Sequence, residues 1–307
     1  MPAPAAPLAD TRVHVFLGKG GVGKTTCSAA AALHFAECGD RTLVLSTDPT
    51  PSLSHIFDRE RSAPEQAIAD GLFMTELGLD EVRRMWDERF GRDVYAVFSA
   101  FVDVDYETFV EFMTSVLPGL NEEFMVDHVR RLVEARRYER IVWDTAPLGQ
   151  TLALLGTPSL LAQHLRMAPR VYSHLRTSGA GRESIMDVLH RWDALATTCM
   201  EFLRRAVRFE MVTIPETLAL RQLDDVFREL ARYGLRVERL IVNNVVVNAD
   251  SPFLVQKSTQ QQHHLRELRA RYRDVPIVEV PLFPQEIQGV ARLRQVASVI
   301  GPSFAGG

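Results

Sequence analysis

Apolar residues along this chain fall in short continuous runs instead of alternating with polar ones. Val13-His14-Val15-Phe16-Leu17 is stopped by glycines, and Thr42-Leu43-Val44-Leu45-Ser46 and Leu72-Phe73-Met74-Thr75-Glu76-Leu77 follow it. Further runs lie at residues 140–144, 210–214, 240–246 and 277–280. Strands covered on both faces lose the period of two, and helix-like stretches separate these runs. The pattern predicts an α/β fold with a mostly parallel, doubly wound sheet. Between the first two runs, residues 25–35 are Ala-rich and predict a helix that ends before Gly39.

Two long intervals break the pattern. Residues 79–135 and 160–207 carry no strand signal and predict one helical subdomain, built from two excursions out of the sheet. The second interval places Ile185, Leu189, Trp192, Ala196, Cys199, Leu203 and Ala206 on one face. Asp187, Arg191, Asp193, Thr197, Glu201 and Arg205 lie opposite, so this helix is expected to bury one side only. Methionines concentrate in the same intervals, at Met85, Met113, Met125, Met167, Met186 and Met200.

Length allows two average domains, and the runs favour one α/β domain over residues 11–307 with the helical subdomain inserted. The Pro/Ala-rich residues 1–10 lack a basic region followed by an apolar core, so they predict a frayed tail and no secretory signal. No run reaches the roughly 18 apolar residues of a membrane span. A net charge of −4 and a pI near 6.2 argue against a nucleic-acid partner. Cys27, Cys38 and Cys199 are unclustered and suit a reducing compartment, which gives a cytoplasmic expectation.

Only three lysines occur, so that 32 of the 35 basic residues are arginine. Lys19 and Lys24 share one glycine-rich loop, where a compact ammonium suits better than a guanidinium fork. Gly18-Lys19-Gly20-Gly21-Val22-Gly23-Lys24-Thr25 fits G-x-x-x-x-G-K-[ST], directly after a strand and before a helix. Such glycines let successive N–H groups face one anion, and the helix N-terminus adds its dipole. The loop from Gly18 to Thr26 is therefore expected to bind ATP with Mg²⁺. Lys24 is assigned to the β- and γ-phosphates and the Thr25 hydroxyl to the metal. Asp48 and Asp144 follow strands; Asp48 is assigned to the attacking water and Asp144 to the Mg²⁺ shell, through water. Either could instead cap the turn that follows it.

Lys19 resembles the signature lysine of the deviant Walker A class, which includes the MinD, ParA and nitrogenase iron-protein relatives. That resemblance implies a lysine reaching the nucleotide of a second subunit, hence a homodimer. Over nearly its whole length the chain resembles the family of the arsenite-pump ATPase ArsA and the tail-anchored-protein-targeting (GET) ATPase. The resemblance rests on the loop, Ser46-Thr47-Asp48-Pro49 with Ser52-Leu53-Ser54, and Leu117-Pro118-Gly119-Leu120-Asn121-Glu122. It continues through Asp144-Thr145-Ala146-Pro147 with residues 149–155, Val212-Thr213-Ile214-Pro215-Glu216, Ile241-Val242-Asn243-Asn244 and Pro281-Leu282-Phe283-Pro284.

The family likeness implies that Asn243 reads the adenine edge, that Leu282 and Phe283 wall the base, and that Glu216 faces the nucleotide near the dimer interface. It implies ATP-driven opening and closing of a dimer that shields hydrophobic helices of membrane-protein clients, with a membrane receptor or permease as a further partner. The methionines then fit either a client groove or the subdomain's own core.

Departures are informative. Leu148 and Gln150 stand where that family has Thr and His, and Thr50-Pro51 replace its Ala-His, the proline stiffening the loop. The targeting ATPase of eukaryotes binds zinc through Cys-x-x-Cys, whereas residues 250–257 here hold no cysteine. No zinc is expected, as in a prokaryotic-type member. Cys27 and Cys38 fall about 16 Å apart along one predicted helix, which disfavours an arsenite thiol site. An ATPase energising a transporter is the alternative reading.

Overall fold

The structure is a computed structural model that describes residues 12–47, 52–62, 64–92, 95, 99, 104–116, 120–145, 191, 194, 195 and 197–304. Its contacts divide the chain into two units. One comprises Met1–Leu77, Val133–Thr151 and Ala206–Gly307; the other comprises Gly78–Leu132 and Leu152–Arg205.

The first unit is a mixed α/β layer structure around one sheet. Its strands are β1 (Arg12–Leu17), β2 (Thr42–Ser46), β3 (Gln66–Ala69), β4 (Leu72–Glu76), β5 (Arg140–Asp144), β6 (Val207–Thr213), β7 (Val237–Val245) and β8 (Ile277–Pro281). They lie in the order β3-β4-β2-β5-β1-β6-β7-β8, all parallel except the β3–β4 pair. This is the mostly parallel, doubly wound sheet that the apolar runs predict. β6 begins three residues before its predicted start. β3 was not predicted, although Asp70-Gly71, with Gly71 at φ 70°, is a hairpin turn flanked by strand residues.

Helix α1 (Lys24–Glu37) leaves β1 and packs against β2, β5 and α8 (Val290–Ile300). Cys27, Ala29 to Ala32, Leu33 and Phe35 are all buried. A helix enclosed on nearly all sides needs small residues for close approach and carries no polar stripe. Phe16, Val44, Met74, Val142, Val212 and Ile241 meet it from the sheet, with Leu293, Val296 and Ile300 from α8, in one continuous core.

That sheet face also carries polar residues. Glu210 accepts from Arg239 Nη1 at 2.8 Å and pairs with His14 Nδ1 at 2.9 Å, all three being buried. Arg239 also donates to the Ser303 carbonyl at 2.6 Å and lies over the Phe304 ring, which fastens the 3₁₀ turn Gly301–Phe304 to the sheet.

In the second unit, α3 (Leu79–Trp86), α4 (Tyr106–Val116) and α5 (Leu120–Glu134, most of it in this unit) are described, and residues 197–205 are helical. Cys199 and Leu203 are buried while Thr197, Glu201 and Arg205 are exposed, which is the one-sided burial expected; Ile185, Leu189 and Trp192 lie outside the described residues. Met125 and Met200 are buried, so these two are core residues. Met85 is half-buried and lines a hollow of about 340 Å³ with Phe124 and His128.

Burial pushes the His14 pKa down, its pairing with Glu210 only partly opposing this, and burial lowers His34 and His128 also. As pH falls, the unfolded chain takes up these protons first. Stability is therefore full above the ordinary histidine value of about 6.5 and declines below it. The urea midpoint should hold steady from neutral to mildly alkaline pH and drop on acidification below that value. Arg239→Met should lower stability by about 3–5 kcal/mol even at neutral pH, because it leaves Glu210 buried without its cation.

Candidate active site

The glycine-rich loop leaves the C-terminal end of β1, between β5 and β6, where ligands of open α/β sheets bind. Its conformation follows from what surrounds it. A Cβ on Gly18 would lie 2.5 Å from the Val212 carbonyl, and one on Gly23 would lie 2.2 Å from Asn243 Nδ2. Gly23 is also left-handed, at φ 91°. Around Gly20 and Gly21, by contrast, no atom stands within 4 Å of an added Cβ. The loop is thus backed by protein at both ends and open in its middle, the shape of a cradle for an anion.

The two loop lysines are placed differently. Lys24 is buried and its ammonium donates to the Lys19 carbonyl at 3.4 Å, so it lies inside the curl of the loop. Lys19 is exposed. The Thr25 hydroxyl donates to Asp144 Oδ2 at 2.8 Å and stands 3.4 Å from Ser52 Oγ. Asp144 is fully buried at the end of β5, and Thr145 binds the β1 end through the Phe16 carbonyl at 2.8 Å. Asp48 lies outside the described residues, as do residues 146–150. Its neighbour Thr47 donates its N–H to the Asp144 carbonyl at 3.3 Å and accepts from the Trp143 indole at 3.2 Å.

Asn243 meets the loop directly: its side-chain amide donates to the Val22 carbonyl at 2.9 Å. The next residue, Asn244, is left-handed at φ 59°, and buried Gln261 ties this strand end down. Gln261 donates to the Asn244 carbonyl at 2.9 Å and accepts from Val246 N at 2.8 Å. Leu282 is 42% exposed, while Phe283 packs partly into the core. Glu216 is exposed and lines a cleft of about 430 Å³ with Thr217, Phe253, Lys257 and His264; no residue of the glycine-rich loop lines that cleft.

One residue the sequence did not single out joins the group. Glu76 ends β4 fully buried, and its Oε1 accepts from Ser52 N at 2.7 Å and Leu53 N at 3.0 Å. Its signal was weak, since a glutamate ending an apolar run looks like an ordinary strand terminus.

The profile of the family described as anion-transporting ATPase matches residues 11–301. The chain belongs to that family. A protein of Aquifex aeolicus whose name describes an arsenical pump-driving ATPase is 29% identical over 297 residues, 94% of this chain and 99% of its own length. ATPase GET3 of Chaetomium globosum is 26% identical over 309 residues, 94% of this chain and 89% of its own. ATPase GET3A of Arabidopsis thaliana is 30% identical over 297 residues, 90% of this chain and 80% of its own.

Membership makes this chain a nucleotide-binding, ATP-hydrolysing enzyme. The anion-transporting ATPase family implies ATP together with Mg²⁺, and the residues present fit both. The open glycines and Lys24 suit phosphates. The Thr25 hydroxyl spends its proton on Asp144 Oδ2 at 2.8 Å, which leaves its lone pairs for Mg²⁺, and the Asp144 carboxylate is an acceptor suited to metal-bound water. Cys27, beneath Asp144, is another matter. Burial first and the Asp144 charge second push its thiol up to about 12, so it stays protonated and inert. Among the described residues no helix is long and apolar enough to cross a membrane.

Lys24→Ala should abolish ATP hydrolysis in purified protein, and measurable turnover would overturn its assignment to the phosphates. Gly23→Ala should lower the melting temperature, the left-handed conformation alone costing about 1–2 kcal/mol. Adding Asn243→Ala should recover only the part due to the clash.

Proposed function

We propose that this ATPase works as a nucleotide-bridged homodimer whose hydrolysis cycle shields and delivers hydrophobic helices of membrane proteins. The observation that carries the dimer is the contrast between the two loop lysines. Lys24 is turned into its own loop, whereas Lys19 is exposed on the same loop, in a chain whose basic residues are otherwise nearly all arginine. A cation delivered to the nucleotide of a second subunit stabilises charge that develops on the transferred phosphoryl group, an effect worth about 10³ to 10⁵ in rate for arginine fingers.

Within each subunit the proposed roles are these. Lys24 and the loop N–H groups hold the phosphates, and Thr25 and Asp144 hold the metal, which when bound neutralises phosphate charge. Asp48 orients the attacking water and accepts its proton. Asn243 shapes the loop from behind through Val22 and presents the remainder of its amide toward the base, with Leu282 and Phe283 beside it. Glu216 faces the partner subunit. No zinc takes part in this reading: residues 250–257, in the region where the eukaryotic targeting ATPase has its Cys-x-x-Cys, hold no cysteine. Ser251 caps the helix Pro252–Arg271 by accepting from Leu254 N at 3.3 Å, and Phe253 and Val255 are exposed. An apolar contact there needs no metal.

The targeting role is supported by the GET3-named relatives, which match this chain nearly end to end. A second reading, an ATPase energising a membrane permease, is supported by the arsenical-pump name of the Aquifex relative. The inert, buried Cys27 and the separately buried Cys199 weigh against thiol capture of arsenite in such a role.

Lys19→Ala should leave nucleotide binding measurable while slowing turnover by at least an order of magnitude; unchanged turnover would overturn the cross-dimer role. Incubated with ATP, the protein should retain a labelled C-terminal hydrophobic helix through gel filtration and release it when apolar residues of the label are replaced by charged ones. If no complex survives with any nucleotide, client shielding is wrong and the permease reading takes its place.

A further inference from the structure

Glu76 and Ser52 have no part in the mechanism drawn so far, yet both stand beside the metal-binding end of the sheet. Strand register puts them there. Ser46 on β2 is the partner of Glu76 on β4 and also of Asp144 on β5, so the two carboxylates flank the end of β2 on the same face. Leu77 N donates to the Ser46 carbonyl at 3.0 Å, which fixes the end of β4 against β2. Glu76 Oε1 then holds the backbone of Ser52 and Leu53, at the start of α2 (Leu53–Phe57), and this brings Ser52 Oγ within 3.4 Å of Thr25 Oγ1.

Two features remain unexplained by a purely structural role. Glu76 is fully buried, yet it has no cationic partner among the described residues. Its second oxygen, Oε2, has no hydrogen-bond partner there either. A buried carboxylate oxygen left unsatisfied is costly, and the neighbouring chemistry supplies what it lacks. A hydrated divalent cation held at Thr25 and Asp144 carries both positive charge and water hydrogens.

We propose that Ser52 and Glu76 form a third arm of the magnesium site. The Ser52 hydroxyl is a further oxygen donor to the metal, beside Thr25. Glu76 is a positioning residue that sets Ser52 through its backbone N–H and accepts, at Oε2, hydrogen bonds from metal-bound water. This rests on the reading of Thr25 and Asp144 as the metal-binding pair. It also links the metal to α2, so that magnesium binding and the placement of Ser52 and α2 are one event.

The test is nucleotide affinity measured by calorimetry with ADP, in EDTA and across a magnesium titration. Loss of an outer-shell partner costs about 10- to 100-fold in metal affinity. Ser52→Ala and Glu76→Gln should raise the magnesium half-point by at least tenfold while ADP affinity in EDTA stays within twofold of wild type, and Ser52→Thr should restore the half-point. Glu76→Gln keeps an oxygen for the two N–H groups, and Ser52→Ala leaves that contact untouched, so either variant alone keeps the test decisive. An unchanged half-point in both variants overturns the proposal. So does an equal loss with and without magnesium, which would mark the pair as scaffold. If wild type itself gains no ADP affinity from magnesium, the metal reading of Thr25 and Asp144 fails instead.

Discussion

The hydrogen bond from the Thr25 hydroxyl to Asp144, at 2.8 Å, is the contact on which the rest of the site is arranged. It joins the first turn of α1 to the end of β5. It can form only because β5 lies beside β1 in parallel, with Phe16 opposite Asp144, so that the loop leaving β1 curls back over its neighbour's carboxylate. The loop's other end is fixed from the opposite side, where Asn243 on β7 donates to Val22. Gly18 and Gly23 are required by these two approaches, one against the β6 backbone and one against Asn243. Loop shape, the Thr25–Asp144 contact and the helix start are therefore set together by sheet order.

Much of this was legible in the sequence, for identifiable reasons. The loop is spelled by contiguous residues whose chemistry is local. Seven strands were legible because a strand covered on both faces is apolar throughout. β3 was not, because it is a short edge strand of mixed polarity, and only Asp70-Gly71 marked it. Glu76 was missed for a different reason. Its role depends on the pairing of β4 with β2 and on α2 folding back over it, neither of which leaves a trace in the residues around position 76. Asn243 shows the limit of reading by likeness: the amide assigned to a base edge has one donor already committed to the loop backbone. The helical excursions show it too, since Met125 and Met200 proved to be core while Met85 lines a hollow.

Glu76, Asp144 and Glu210 are each fully buried on the face that α1 covers, in one row across the sheet. Ser46 is register partner to the first two, and Phe16 to the last two, so neighbours in the row are about two strand spacings, or 9–10 Å, apart. Burying three carboxylates at that spacing is costly unless each is compensated. Glu210 is compensated within the chain by Arg239 and His14, and that cluster fastens the C-terminal turn Gly301–Phe304 to the sheet. Glu76 lies at the other end of the row, where the described residues supply two neutral N–H groups and no arginine. A guanidinium placed there would bind the carboxylate permanently and fill the space beside Thr25. Leaving the position to an exchangeable cation makes its compensation conditional on ligand. The same row thus contains one carboxylate whose charge is settled by folding and one whose charge is settled by what the enzyme binds, and that difference separates the structural end of the sheet from the working one.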